Sequence, residues 1–377
     1  MLDPEKFLDF LRENGIEFFT GVPDSLLKHA CACLTTRLPA GNHVLAANEG
    51  GAIGLAIGHH LATGKVPFVY MQNSGLGNTV NPLLSLASRE VYAVPMLLMI
   101  GWRGRPGVKD EPQHVHQGRV TRELLEVMDI PTIVLSDEMA QAAEQVRQAV
   151  AKARSESAPV ALLVNKGTFA DYQLDASFPD LPMTREEAII KALSLAEDDA
   201  AIVSTTGMPS REVFEYRARA GGSHEKDFLT VGGMGHANQI ALGIALSQPD
   251  RPVYCLDGDG AAIMHMGSMG IVAQSNAGNY IHLLLNNGCH ESVGGQPTVG
   301  FDLDFPSIAA ACGYRHVGHA RTPDELEREI AAAQRSEGAA FIEVQVRAGH
   351  RSDIGRPTVA PVKNKEAMMD FLNGNGG

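Results

Sequence analysis

Between Val253 and Cys289 the chain holds two short apolar runs joined by a Gly-rich stretch, and few parts of the sequence leave folding so little choice. The first run, Val253–Leu256, ends in Gly258-Asp259-Gly260. The second, Ile281–Leu285, stops at Asn286-Asn287-Gly288. Such a pattern predicts a βαβ unit with parallel strands, whose C-terminal ends open onto one edge of a sheet. Asp259 and Asn287, 28 positions apart, then share a crevice. Glycines there let backbone approach a bulky anion, and the following helix presents free N–H groups. Asp259 offers a carboxylate oxygen, Asn287 an amide oxygen and Cys289 its backbone carbonyl. Three hard oxygen ligands with open positions suit Mg²⁺ bridged to a diphosphate, whereas the Cys289 thiol is too soft. The plainer alternative is two unrelated polar turns at strand ends.

Strand and helix signals alternate along the whole chain, which implies parallel sheets covered on both faces. Asp171–Pro182 breaks the alternation with polar and Pro residues and reads as a linker. We therefore expect two doubly wound α/β domains, residues 1–180 and 181–377, with no room for a middle domain. In the first, a helix is expected over 81–88, and a loop rich in Gly, Pro, Arg and His over 101–118. In the second, one helix should fill the βαβ crossover, a strand should span 314–317, and the tail should hold at most a helix over 365–372. The net charge of −13 argues against a nucleic-acid or anionic-membrane surface, so an anionic substrate needs a local basic pocket. No run is long and apolar enough for a membrane span, and the acidic N-terminal stretch does not read as a secretory signal. Five cysteines without a CxxC pair suggest reduced thiols in a cytoplasmic enzyme.

The spacing of GDG and NN resembles the signature of thiamine-diphosphate-dependent enzymes, decarboxylases and transketolases among them. That resemblance implies thiamine diphosphate and Mg²⁺ as cofactors, with Asp259, Asn287 and Cys289 on the metal and Gly258 and Gly260 beside the diphosphate. It also asks for a glutamate on the other domain. Glu49 opens a small-residue stretch, NEGGAIGLAIGHHLATG, that is similar to the family's glutamate-bearing segment. A carboxylate at a helix N-terminus also has a bland explanation in the helix dipole. The resemblance implies more: Glu49 shares a proton with N1′ of the aminopyrimidine, so that the cofactor's own imino nitrogen can act as base. Gly232-Gly233-Met234-Gly235 places a large residue among glycines, and Met234 matches the apolar wedge that bends the cofactor.

The two-domain layout, with VPDS, YMQNSGLGN, DEPQH, NKGTF and CHESVGGQPT, resembles the phosphonopyruvate and sulfopyruvate decarboxylase family. It implies a 2-oxo acid substrate with a second anionic group at C3, the phosphonate being the expected one. Sulfopyruvate, or another 2-oxo acid, is the alternative. Asp24 matches an acid near the reacting carbon, and His114 matches the family's histidine position. Ser25, Gln113, His114 and His116 are candidate substrate contacts. Arg103, Arg105 and Lys109 read singly as solvated loop residues, and Lys166 is as well placed on the surface as in the cleft. A glutamate that follows the NN turn in three-domain relatives falls on Val293 here; Glu291 is the nearby acid, and the proton donor stays open. The family's assembly implies a homodimer or homotetramer with active sites between subunits, the Gly50–Gly58 helix lying at the contact. A dinucleotide-binding dehydrogenase would need GxGxxG, which Gly232–Gly235 lacks. A non-catalytic homologue would have lost Glu49, Asp259 or Asn287, and all three are present.

Overall fold

The structure is a computed structural model describing residues 1–374; the last three residues of the NGNGG tail lie outside them. It divides into two compact units, Met1–Ala176 with Ser292–Gln296, and Ser177–Glu291 with the described residues from Pro297 on. A division at 180/181 does not anticipate the grouping of Ser292–Gln296 with the first unit. There the Gln296 side-chain amide donates to the Lys28 carbonyl at 3.4 Å.

The first unit runs α1 (Pro4–Glu13), β1 (Phe19–Gly21), α2 (Lys28–Arg37), β2 (His43–Leu45), α3 (Glu49–Thr63), β3 (Phe68–Gln72) and α4 (Leu76–Pro82). It continues with β4 (Met96–Gly101), α5 (Pro112–Val127), β5 (Thr132–Val134), α6 (Met139–Glu156) and β6 (Pro159–Val164). Its six strands pair in parallel in the order β2-β1-β3-β4-β6-β5. Alternate residues face opposite cores. Phe68, Tyr70, Leu97 and Met99 enter one, while Val69, Met71, Met96 and Leu98 enter the other. Burial on both faces is why these strands read as unbroken apolar runs rather than alternating ones.

Three local readings need correction here. Helix α1 was not anticipated; Asp3 caps it by accepting from the Glu5 and Lys6 N–H groups, and Pro4 supplies a preset φ at its first position. The helix expected over 81–88 starts earlier, at Leu76, and passes into a π-helical turn at Leu83–Ala87. Buried Leu76 and Thr79 outweigh the Asn and Gly residues that make the segment look like a turn. The loop expected over 101–118 ends at Glu111, because Pro112 opens α5 in the same way that Pro4 opens α1.

The second unit runs α7 (Arg185–Leu195), β7 (Ala201–Ser204), α8 (Met208–Arg219), β8 (Asp227–Leu229), α9 (Ala237–Ser247) and β9 (Val253–Gly258). Then come α10 (Asp259–Met264), α11 (Gly267–Gln274), β10 (Tyr280–Asn286) and two short strands, β11 (Cys289–His290) and β12 (Gln296–Pro297). It closes with α12 (Phe305–Cys312), β13 (His316–Ala320), α13 (Pro323–Ala333), β14 (Ala340–Gln345) and α14 (Pro361–Leu372). Its large sheet is also parallel, in the order β13-β14-β10-β9-β7-β8. The crossover helix is two helices, since the backbone leaves helical geometry at His265. Strand β13 starts two residues later than the 314–317 reading, because Gly313 turns with φ 103° and Tyr314 is spent on the core. Helix α14 begins at Pro361, four residues before the expected start.

In both sheets the strand order reverses, between β1 and β3 in the first and between β7 and β9 in the second, and it turns back again at one edge, where β5 lies outside β6 and β13 outside β14. In open α/β sheets the crevice outside the strand C-termini at such a point is where ligands bind.

Candidate active site

In the second unit the βαβ argument holds at the level of atoms. Strands β9 and β10 pair with Leu285 opposite Gly258, so Asp259 and Asn287 emerge side by side. The carboxylate of Asp259 is buried and accepts from the Thr298 hydroxyl. Burial pushes its pKa up to about 6, against the Thr298 hydroxyl and the backbone N–H groups of Asp259, Gly260 and Asn287. A carboxylate held at that cost is one whose charge a cation would relieve. The Asn287 side chain is oriented from two sides. Its Oδ1 accepts from the Cys289 N–H at 3.2 Å, and its Nδ2 donates to Glu291 at 3.0 Å. Gly288 turns the chain with φ 70°, and any side chain there would strike the Phe301 ring. Neighbouring Asn286 instead faces inward, donating to Gly300 and Glu343 at 2.7 Å each. Asp257, the first acid of DGDG, is fully buried, lies 3.3 Å from His282 and accepts from the Gly258 N–H at 3.0 Å, which accounts for both its oxygens.

Gly260 marks the close approach. A Cβ on it would sit 2.8 Å from the His290 ring and 3.3 Å from the Met234 methyl. Met234 itself is half-buried between Gly233 and Gly235, whose φ values of 66° and 85° leave those positions to glycine. Gly232 begins the same turn and is half-buried. His290, which the sequence did not single out, packs against Gly260, and burial lowers its pKa to about 4, so it is neutral at pH 7. The side-chain oxygens of Asp259 and Asn287, the glycine cradle and a buried carboxylate that no cation balances all fit Mg²⁺ and a diphosphate.

Glu291 is not a free acid. Burial alone would raise its pKa, but the Arg185 guanidinium at 2.5 Å and His350 at 2.5 Å hold it below the usual range. Arg185 is itself buried and forked onto Glu212, with two bonds of 2.8 Å. Glu291 therefore stays ionised and braces the Asn287 turn; it has no proton to give near neutral pH.

In the first unit the C-terminal ends of β2, β1, β3 and β4 carry the remaining candidates. Glu49 is the first residue of α3, buried at its N-terminus. Burial raises its pKa, opposed by the Asn78 amide, which donates to it at 2.7 Å. Gly75 lies so close that a Cβ would overlap the Glu49 carboxylate. Asp24 is fully buried, and burial raises its pKa against a 2.6 Å bond from Gln72 and the N–H groups of Leu26 and Leu27. Gly101 leaves room for it as Gly75 does for Glu49. His114 lies in the first turn of α5 rather than in a loop. Burial, aided by the Arg103 charge, lowers its pKa to about 4, and its Nδ1 has no hydrogen-bond partner.

The other loop residues separate. His116 is exposed and bonded to Arg119 at 2.7 Å, and Gln113 is half-buried on the same turn. Arg105, Lys109 and Lys166 are exposed. Arg103 departs from its reading as a solvated residue. It is largely buried, forks onto Asp110 at 2.5 and 2.8 Å, and donates to Ser25 Oγ at 2.7 Å.

Comparison with known proteins bears on the same two units. The family model described as "Thiamine pyrophosphate enzyme, N-terminal TPP binding domain" matches residues 5–125. That described as "Thiamine pyrophosphate enzyme, C-terminal TPP binding domain" matches residues 206–344. A phosphonopyruvate decarboxylase of Streptomyces viridochromogenes is 36% identical, over 95% of this chain and 92% of its own. One from Streptomyces hygroscopicus is also 36% identical, over 98% and 94%. A sulfopyruvate decarboxylase of Methanosarcina acetivorans is 25% identical, over 97% and 96%.

Proposed function

The chain belongs to the thiamine-diphosphate-dependent decarboxylases of the phosphonopyruvate and sulfopyruvate decarboxylase type, and from that premise we propose that it converts 3-phosphonopyruvate to 2-phosphonoacetaldehyde and CO₂. The observation that carries the choice is full-length similarity: 36% to two proteins named for the phosphonate against 25% to one named for the sulfonate. This reaction would place the enzyme in phosphonate metabolism.

Bound thiamine diphosphate supplies the nucleophilic carbon and the electron sink that make loss of CO₂ from a 2-oxo acid feasible. The chain's share is position, charge and protons. Asp259, Asn287 and the Cys289 carbonyl would hold Mg²⁺, with Gly258 and Gly260 admitting the diphosphate and Gly232 and Met234 shaping the turn beneath the ring. Glu49, with its raised pKa, can share a proton with N1′ of the aminopyrimidine; its place at the start of α3 and its Asn78 bond support that role. Asp24, buried and raised in pKa, is the acid proposed beside the reacting carbon. His114 is neutral and offers an imidazole with Nδ1 free, suited to hydrogen bonding with the substrate rather than to supplying charge. Ser25 and Gln113 complete the proposed substrate contacts. His116 remains the weakest of them, because Arg119 holds it on an exposed face.

Exposed Leu55, Leu61 and Tyr92 in the first unit support assembly as a homodimer or homotetramer, in which each site would be completed across a subunit contact. The free cysteines, four of them buried, support a reducing, cytoplasmic setting.

The deciding experiment is a parallel assay of purified protein with Mg²⁺ and thiamine diphosphate on phosphonopyruvate, sulfopyruvate and pyruvate. The highest kcat/KM is expected for phosphonopyruvate. A higher value for sulfopyruvate or pyruvate would overturn the substrate and leave the decarboxylase standing.

A further inference from the structure

We propose that Arg103, acting with the Ser25 hydroxyl, binds the second anionic group of the substrate, the one carried at C3. The inference rests on the proposed reaction and names the residue that would read its defining charge. A chain of net charge −13 needs a local cation to hold an anionic substrate. His114 does not supply it, since its pKa of about 4 leaves it neutral. Arg105, which lies over the Trp102 ring, and Lys109 are exposed, and an exposed cation discriminates weakly. Arg103 is different. It follows β4 at the C-terminal edge of the sheet, its side chain is 15% exposed, and its charge acts directly on Asp24.

The hydrogen-bond count leaves capacity for a ligand. A guanidinium carries five N–H groups. Nε donates to Asp110 Oδ2 at 2.8 Å, Nη2 to Asp110 Oδ1 at 2.5 Å and Nη1 to Ser25 Oγ at 2.7 Å. One N–H on each terminal nitrogen remains, the donor pair that suits two oxygens of a phosphonate or sulfonate. Ser25 Oγ accepts from Arg103, so its own O–H is left to donate to a ligand held there. Asp110 is fixed by the Gly104 and Glu111 N–H groups at 2.8 Å each. It therefore holds the guanidinium plane in one orientation, and it also offsets part of the charge. The expected discrimination is accordingly that of one or two charge-assisted hydrogen bonds, about tenfold to a hundredfold. Ser25 directly follows Asp24, so the anion would sit one residue from the proposed catalytic acid, as a C3 substituent requires.

The test uses holoenzyme with Mg²⁺ and thiamine diphosphate. Wild type, Arg103→Lys and the double variant Arg103→Ala/Asp110→Ala are compared; the double variant removes both charges and so strands neither. The ratio of kcat/KM for phosphonopyruvate to that for pyruvate is measured, with calorimetric binding of 3-phosphonopropionate. We expect the ratio to fall at least tenfold in both variants, with a parallel loss of 3-phosphonopropionate affinity. Ser25→Ala should move both readouts in the same direction. Variants that bind cofactor and keep the wild-type ratio and affinity would overturn the assignment of Arg103 while the reaction stands. A wild-type enzyme without preference for C3-anionic acids would overturn the reaction itself, and the role of Arg103 with it.

Discussion

At the scale of single residues, Asp259 and Glu49 are buried carboxylates of the candidate site whose pKa values burial raises, and each has its own test. Asp259→Ala removes the buried oxygen around which the ligand set is built, and metal-dependent binding of thiamine diphosphate should fall below detection by calorimetry. Wild-type affinity in that variant would rule out the ligand role. Glu49→Gln preserves shape and the Asn78 neighbour but cannot share a proton with N1′. Cofactor affinity should change little, C2–H exchange followed by NMR should slow at least a hundredfold, as expected when an acid–base group is lost, and the deficit should appear in kcat. Exchange at the wild-type rate would exclude the role. His114 yields a pH prediction. Its folded pKa of about 4 lies below the ordinary 6.5, so between those values the unfolded chain binds more protons than the folded one. The stability it contributes is complete above pH 6.5 and is lost as pH falls toward 4, at about 1.4 kcal/mol for each unit of pKa difference. The unfolding free energy measured in urea should fall more steeply with falling pH across that window in wild type than in His114→Gln. Equal slopes would show that His114 does not titrate as its burial implies.

At the scale of elements, one turn shows what the sequence could and could not disclose. The pairing of Asp259 with Asn287 was legible because parallel strands force their C-termini to one edge, whatever the intervening helix does. That the crossover is two helices made no difference to it. The doubly wound sheets were legible for a similar reason: strands covered on both faces read as near-continuous apolar runs, as Met96–Ile100 and Leu283–Leu285 do. What could not be read was any contact between residues far apart in sequence. Arg103 looked solvated because Gly, Pro and Lys surround it, yet its partner Ser25 is 78 positions away. Glu291 looked like an acid in search of a task, yet Arg185, 106 positions away, neutralises it. That ion-pair network makes its own prediction. Arg185→Met would leave Glu212 buried without its cation and Glu291 with His350 alone, and breaking such a buried pair costs about 3–5 kcal/mol. It would also free Glu291 from its role in orienting Asn287. Chemical denaturation should report the loss of stability, and Mg²⁺ affinity of the folded variant should weaken. Unchanged affinity would separate the network from the metal turn.

At the scale of the whole molecule, the question is how many chains make one site. Each unit presents its candidates at its own sheet edge: Glu49, Asp24 and Arg103 on the first, Asp259, Asn287 and Met234 on the second. Neither unit holds both a hard-oxygen ligand set at a glycine cradle and the glutamate proposed for the aminopyrimidine. A single chain could fold and still be inactive if the two halves of a site come from different copies. The surface of the first unit supports association. Leu55 and Leu61 on α3 are 40% and 75% exposed, Leu84 and Leu86 on the π-helical turn 43% and 39%, and Tyr92 beyond it 68%. Large apolar side chains this exposed are candidates for a surface covered on association, which is what the proposed assembly requires. Helix α3 is suited to such a contact, since a Cβ added at Gly54 or Gly58 would meet nothing within 4 Å, which leaves space for a second helix backbone. A stable contact needs about 1,200–2,000 Å² of buried surface, more than these side chains alone provide, so the interface must extend beyond α3. We predict a homodimer or homotetramer whose specific activity falls on dilution as subunits separate. Leu55→Glu combined with Leu84→Glu should shift the mass measured by light scattering toward the monomer. Turnover should be lost in proportion, even though neither residue lies among the proposed ligands or acids. An active monomer, or a double variant that dissociates yet keeps full turnover, would show that one chain carries a complete site.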